Sequence, residues 1–90
     1  MDHDIYVAVF GYDWKRLGSK LVTLSDFVIN DPILLNEAER RVALLVTPLD
    51  IKDVHVVSTM GREATPEEGR LFYAKNRGPH VEAWDFTKRD

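Results

Sequence analysis

Residues 4–11, DIYVAVFG, limit the possible folds of this chain more than any other segment. Apolar residues fill both alternations of this segment: one holds Ile5, Val7 and Val9, and the other holds Tyr6, Ala8 and Phe10. Successive side chains of a strand point to opposite faces of the sheet, so both faces of this strand have to be covered. The pattern therefore predicts a central strand that ends at Gly11.

The length of 90 residues suits one domain spanning residues 1–90. The chain is 44% hydrophobic and has no cysteine, which favours a folded domain and excludes disulfides, thiolate zinc sites and iron–sulfur clusters. Its formal net charge of −3 argues against a nucleic-acid binder held mainly by phosphate contacts. No cofactor is predicted.

The second element is predicted to be a helix. Spacings of three and four place five apolar residues on one helical face: Trp14, Leu17, Leu21, Leu24 and Val28. Gly18 within this stretch disfavours a helix. An alternative therefore begins the helix at Ser25-Asp26 and leaves residues 20–24 extended. Asp31-Pro32 ends the element in either case, because a residue before proline avoids the helical region.

Residues 33–50 allow two interpretations. The preferred one is a short helical turn over residues 34–39, followed by a buried strand over residues 41–47 that stops at Pro48. A run this short has too little periodicity to distinguish a strand from a helix. If residues 36–46 form a single helix instead, the sequence predicts an α/β arrangement with three strands.

The last third of the chain carries clearer signals. Residues 53–59 are rich in β-branched types and predict a strand. Thr65-Pro66-Glu67-Glu68 has the pattern of a capping box and predicts a helix start. Gly78-Pro79 predicts the end of that helix, and residues 80–86 are predicted to form a final strand.

The predicted order is strand, helix, strand, strand, helix, strand. In a chain of this length, that order indicates an α+β fold, the ferredoxin-like split βαβ sandwich, with an antiparallel sheet and two helices on one face. Two right-handed crossovers would place the strands of residues 4–10 and 53–59 in the middle of the sheet.

In such a fold the helices cover one sheet face and leave the other apolar and exposed. An exposed apolar face of this size is typical of an interaction surface, unless residues 33–35 fold over it. The sequence therefore predicts a small non-enzymatic protein-binding, regulatory or inhibitory module that forms a homodimer or binds a partner protein. The predicted contact residues are Tyr6, Phe10, His55, Val57 and Trp84.

The loop of residues 58–65 suggests an alternative function. Hydroxyls, a glycine and an arginine precede a helix N-terminus there, where backbone N–H groups favour anions. A small enzyme or ligand sensor would bind its anionic ligand through Ser58, Thr59, Gly61 and Arg62. No glycine-rich phosphate motif accompanies them.

Three other classes of function are disfavoured. RNA-recognition domains share the predicted topology, but residues 53–59 lack the basic, glycine and aromatic residues of their second motif. No histidine pair has metal-ligand spacing, so no metal site is predicted. No apolar run approaches the roughly 18 residues of a membrane span, and the acidic first residues do not resemble a signal peptide. A cytoplasmic location is therefore expected.

Overall fold

The computed structural model of the chain describes residues 1–75 and 85–87. Its elements in chain order are β1 (Asp2–Gly11), β2 (Arg16–Ser25), α1 (Asp26–Ile29), α2 (Pro32–Val46), β3 (Val54–Met60) and α3 (Pro66–Lys75). A short 3-10 turn over Ile51–Asp53 precedes β3. The described part of the chain is an α+β fold with a three-stranded antiparallel sheet and three α-helices.

The strand order in the sheet is β2-β1-β3, so β1 is central as predicted. Both neighbours pair with β1 in the antiparallel direction, and Tyr6 of β1 lies between Leu21 of β2 and Thr59 of β3. The β1–β2 register shifts at one point, where Leu17 has no partner and forms a bulge. Beyond β3, Met60 forms an isolated parallel bridge to Asp85.

Helices cover both faces of this sheet, and each face is named here after the helix that packs on it. On the α2 face, one alternation of β1 packs against buried residues of α2: Leu35, Val42 and Ala43. On the α3 face, the other alternation forms a second core cluster of Ala8, Phe10, Val57 and Ala64, with Trp14 and Phe72 packed against it. The apolar part of β1 is therefore covered on the α2 face and, at Ala8 and Phe10, on the α3 face.

The prediction of two helices on one face is wrong for this reason, and the ferredoxin-like split βαβ arrangement is not confirmed. α3 packs closely on the face that was expected to be open. A Cβ on Gly69 of α3 would lie 3.1 Å from Trp14, 3.2 Å from Phe10 and 3.4 Å from Val57. The glycine lets the helix backbone approach the sheet.

The predicted second helix is also wrong over most of its length, because residues 16–25 form β2. Val22 and Leu24 pack on the α2 face, in the period of two that a strand requires. Pairing with β1 satisfies the backbone of both strands and outweighs the coincidental helical spacing of the apolar residues. The alternative start at Ser25-Asp26 is confirmed, with Ser25 as the N-cap of α1.

Residues 41–47 do not form the preferred strand, since α2 continues from Pro32 to Val46. Asp31 caps this helix by accepting hydrogen bonds from the N–H groups of Ile33 and Leu34. Pro32 stands at the helix start, where proline is favoured. The single helix and the three-stranded sheet match the second interpretation of the sequence.

The strand over residues 53–59 and the helix start at residues 65–68 are confirmed, whereas the described end of the predicted final strand is an isolated bridge at Asp85 followed by a turn at Phe86. Residues 54–60 form β3, and Thr65 and Glu68 exchange the two hydrogen bonds of a capping box. Most of the predicted final strand, including Trp84, lies outside the described residues. Among the described helices, none is long and apolar enough to cross a membrane.

Candidate functional site

The structure separates the residues that the sequence grouped on one contact face. Phe10 and Val57 are buried beneath α3. Tyr6 and His55 lie on the same face and are partly exposed, but at opposite ends of it. Trp84 lies outside the described residues. Only the two ends of the α3 face therefore offer accessible side chains.

Aromatic side chains fill the end of this face near His55. The His55 ring stacks on the Trp14 ring, with the two ring centroids 4.2 Å apart. It also stacks on the Tyr12 ring, with centroids 5.6 Å apart. Tyr73 of α3 meets the His55 ring edge-on at 4.9 Å. Trp14 reaches this position from the β1–β2 turn with a φ of 66°. The imidazole is thus contacted by three aromatic rings, and its buried Nδ1 has no hydrogen-bond partner among the residues that the structure describes.

The opposite end of the α3 face is not covered by α3 and is called the open patch. It consists of Asp2, Asp4 and Tyr6 of β1, with their cross-strand partners Leu21 and Thr23 of β2. Tyr6 is partly exposed, and 51% of Leu21 is exposed. Tyrosine is common at protein interfaces because it combines a large apolar ring with a hydroxyl group.

A cleft of about 540 Å³ adjoins the open patch, between the start of β1 and the end of β3. Its described lining includes Asp2, Asp4, Tyr6, Met60, Asp85 and Thr87. His3 and Gly61 complete this lining, so three carboxyl groups and one histidine surround the Tyr6 and Met60 side chains, and the described lining has no lysine or arginine. The Asp85 carboxylate also accepts hydrogen bonds from Thr87. A surface with these charges attracts positively charged groups.

No protein family model, curated protein or solved structure matches this chain. We therefore infer its function from the geometry and charge of the open patch and the cleft. Within the described ranges, no group of three or more histidine, aspartate or glutamate side chains is arranged to hold a metal ion.

The residues proposed for an anion site do not converge on one point. Ser58 and Thr59 are neighbours in β3, so their side chains point to opposite faces. The Ser58 hydroxyl donates a hydrogen bond to Glu39 at 2.6 Å, and the Thr59 hydroxyl donates one to the carbonyl of Arg62, also at 2.6 Å. Gly61 has a φ of 92° and lies against Thr87. Both hydroxyls therefore serve contacts within the fold.

Arg62 also has a partner within the chain. Its guanidinium donates two parallel hydrogen bonds to Glu68, at 2.7 and 2.6 Å, and lies 3.8 Å above the ring of Phe86. Hydrogen bonding from Arg62 lowers the pKa of Glu68 to about 2, so this carboxylate stays ionised at neutral pH. Glu68 thus occupies the place that an external anion would take on Arg62.

Glu39 is a buried acid that the sequence did not single out. It extends from α2 towards the sheet and accepts the hydrogen bond from Ser58. Burial raises the pKa of Glu39 to about 7, although the Ser58 hydrogen bond opposes this rise. Glu39 therefore gains and loses its proton at a higher pH than an exposed glutamate does.

The acids of the open patch were also missed, although the sequence carries a signal for them. Asp2 and Asp4 share one alternation with Tyr6, so a strand places all three on one face. That alternation changes from acidic to apolar along β1 and predicts a polar end on the face. Leu21 joins them only through the β1–β2 pairing, which the helical interpretation of residues 14–28 had excluded.

Proposed function

We propose that this protein is a protein-binding module whose open patch and cleft hold a basic segment of a partner protein. The single observation that carries this proposal is the placement of three aspartates around a partly exposed tyrosine, at an end of the α3 face that none of the described helices covers. An apolar floor with a charged rim is the usual anatomy of a specific protein interface. Binding there would let a small subunit regulate or inhibit its partner.

Charge favours a different protein over a second copy at this surface. In a two-fold symmetric dimer the same patch of both copies meets, so Asp2 and Asp4 would face the same carboxylates. Like charges brought together at an interface disfavour association. A partner with lysine or arginine side chains instead pairs with these acids, while its apolar side chains pack on Tyr6 and Leu21.

A titration followed by ¹H–¹⁵N NMR tests this chemistry with a defined probe, a peptide that alternates lysine and leucine. We expect the amide signals of residues 2–6, 21–23 and 60–61 to shift, since these residues form the open patch and the cleft. Binding weakens as salt is added, because the charges lie at the surface. An acidic peptide that alternates glutamate and leucine should leave the same signals in place.

A charge-reversal pair provides the matched variants. The double substitution Asp2→Lys and Asp4→Lys should weaken peptide binding at least roughly tenfold, because it replaces two attractions by two repulsions. Glu37→Lys makes the same type of change on the exposed side of α2 and should leave binding unchanged. Equal shifts with both peptides, or shifts centred on α2, would contradict the proposal.

A further inference from the structure

A second interaction surface lies at the outer edge of β2, which shares Leu21 and Thr23 with the open patch but does not line the cleft. β2 is an outer strand of the sheet, and among the described residues no strand pairs with its free side. It is ten residues long, contains no proline and is regular from Gly18 to Leu24. An edge of this kind presents unpaired backbone N–H and C=O groups that pair readily with another strand.

We propose that two copies of this chain pair through β2 in the antiparallel direction, with Leu21 on the two-fold axis, to form a continuous six-stranded sheet. In this register Leu21 packs on Leu21 of the second copy, so the half-exposed leucines cover each other. Ser19 then lies opposite Thr23, and Lys20 lies opposite Val22. A register centred on Lys20 would place two lysines directly opposite each other, which is unfavourable.

The charges at the two ends of the strand are complementary in the same register. Antiparallel pairing around Leu21 brings Arg16 of one copy to the level of Asp26 of the other. Within the chain, Arg16 also contacts Glu63, and Asp26 also contacts the amino terminus and His3. β2 itself has two basic residues and no acidic one, so the electrostatic attraction between the two copies comes from Arg16 of one copy and Asp26 of the other.

The end of α2 lies beside β2. Val46 of this helix lies against Gly18 of β2, and the neighbouring Leu45 is 71% exposed. A second copy on this edge would lie close to this end of α2.

Sedimentation equilibrium measures the association directly. We expect the wild-type chain to be dimeric at about 100 µM and to dissociate on dilution, as mass action requires. Leu21→Lys should raise the dissociation constant at least roughly tenfold, because it places two charges on the axis. Leu44→Lys, on the outer side of α2, should leave the dimer intact, and circular dichroism checks that both variants fold.

Because the chain has no cysteine, single cysteines report the register. Leu21→Cys should form a disulfide between copies under mild oxidation, since strand partners are about 5 Å apart, a separation that a disulfide spans. Thr23→Cys should not, because residues 23 of the two copies are offset along the strand by roughly 13 Å.

A wild-type chain that is monomeric at about 100 µM would overturn this proposal. So would a Leu21→Lys variant that dimerises as strongly as the wild type, or faster cross-linking through residue 23 than through residue 21. The Asp2 and Asp4 variants of the open patch lie off the β2 edge and should not change the dimer. Leu21 belongs to both surfaces, so the Asp2 and Asp4 variants, which change only the open patch, distinguish failure of one proposal from failure of the other.

Discussion

Phe10→Ala should lower the free energy of unfolding by about 3 to 5 kcal/mol, the usual cost of removing a fully buried phenylalanine. Phe10 is 0% exposed, its ring lies 5.5 Å from that of Trp14, and Gly69 of α3 packs directly over it. Truncation leaves a cavity under α3 that the glycine backbone of the helix has no side chain to fill. Urea unfolding monitored by tryptophan fluorescence measures the loss.

Two further variants keep this result interpretable. Phe10→Leu retains most of the apolar volume and should cost about 1 kcal/mol, so it stays measurable if the alanine variant fails to fold. Leu21→Ala, at a half-exposed position of the same face, should change the stability by less than about 1 kcal/mol. If Phe10→Ala left the stability unchanged, Phe10 would instead belong to the exposed contact face that the sequence suggested.

The second large effect concerns Glu39 and pH. A carboxyl whose pKa is raised by folding stabilises the fold fully below its unfolded pKa, and this stability is lost as the pH rises through the folded pKa. For Glu39 the relevant window runs from 4.5 to about 7. Deprotonation in that window should cost about 2 to 3 kcal/mol by pH 8, because a charge is created where burial penalises it.

Glu39→Gln removes this titration and keeps an oxygen that accepts the Ser58 hydrogen bond. The variant should therefore match the wild type near pH 4.5 and exceed its stability by about 2 to 3 kcal/mol at pH 8. Glu37→Gln, an exposed acid on the same helix, serves as the control and should follow the wild type at both pH values. Urea unfolding curves for Glu39→Gln and the wild type that stay parallel from pH 4.5 to 8 would contradict the buried position of Glu39.

Local signals predicted several elements of the fold correctly. The two apolar alternations of residues 4–11 indicated a central strand, and the structure shows one. The capping box at Thr65 and Glu68 needs only residues that are close in sequence, and its hydrogen bonds are present. Both predictions rest on residues that are close in sequence, and the tertiary contacts of this fold agree with them.

The identity of β2 and α2 depended on contacts between distant residues. Leu17, Leu21 and Leu24 have helical spacing, yet residues 16–25 pair with β1 because the central strand needs a partner on each side. Conversely, residues 41–47 were predicted to form a strand, but α2 begins at the cap Asp31, buries Val42 and Ala43, and continues to Val46. Short apolar runs carry too little periodicity to decide between these outcomes.

The candidate site followed from these errors. The sequence predicted an apolar face covered by another molecule, but the covering element for most of that face is α3 of the same chain. Gly69 was the missed signal, because a glycine within a helix permits a close approach to the sheet. The described surface that is left accessible is smaller and more acidic than predicted, so the partner that we propose for the open patch itself is a basic protein rather than a second copy.

Affinity capture from an extract of the cells that produce the protein tests the proposed function most directly. Quantitative mass spectrometry should find a basic protein retained by the wild type and by Glu37→Lys, and lost with the Asp2→Lys, Asp4→Lys variant. This result would be obtained only if a partner protein exists and if its binding depends on the open patch. Equal retention of every captured protein by the three forms, or retention of none, would contradict the account.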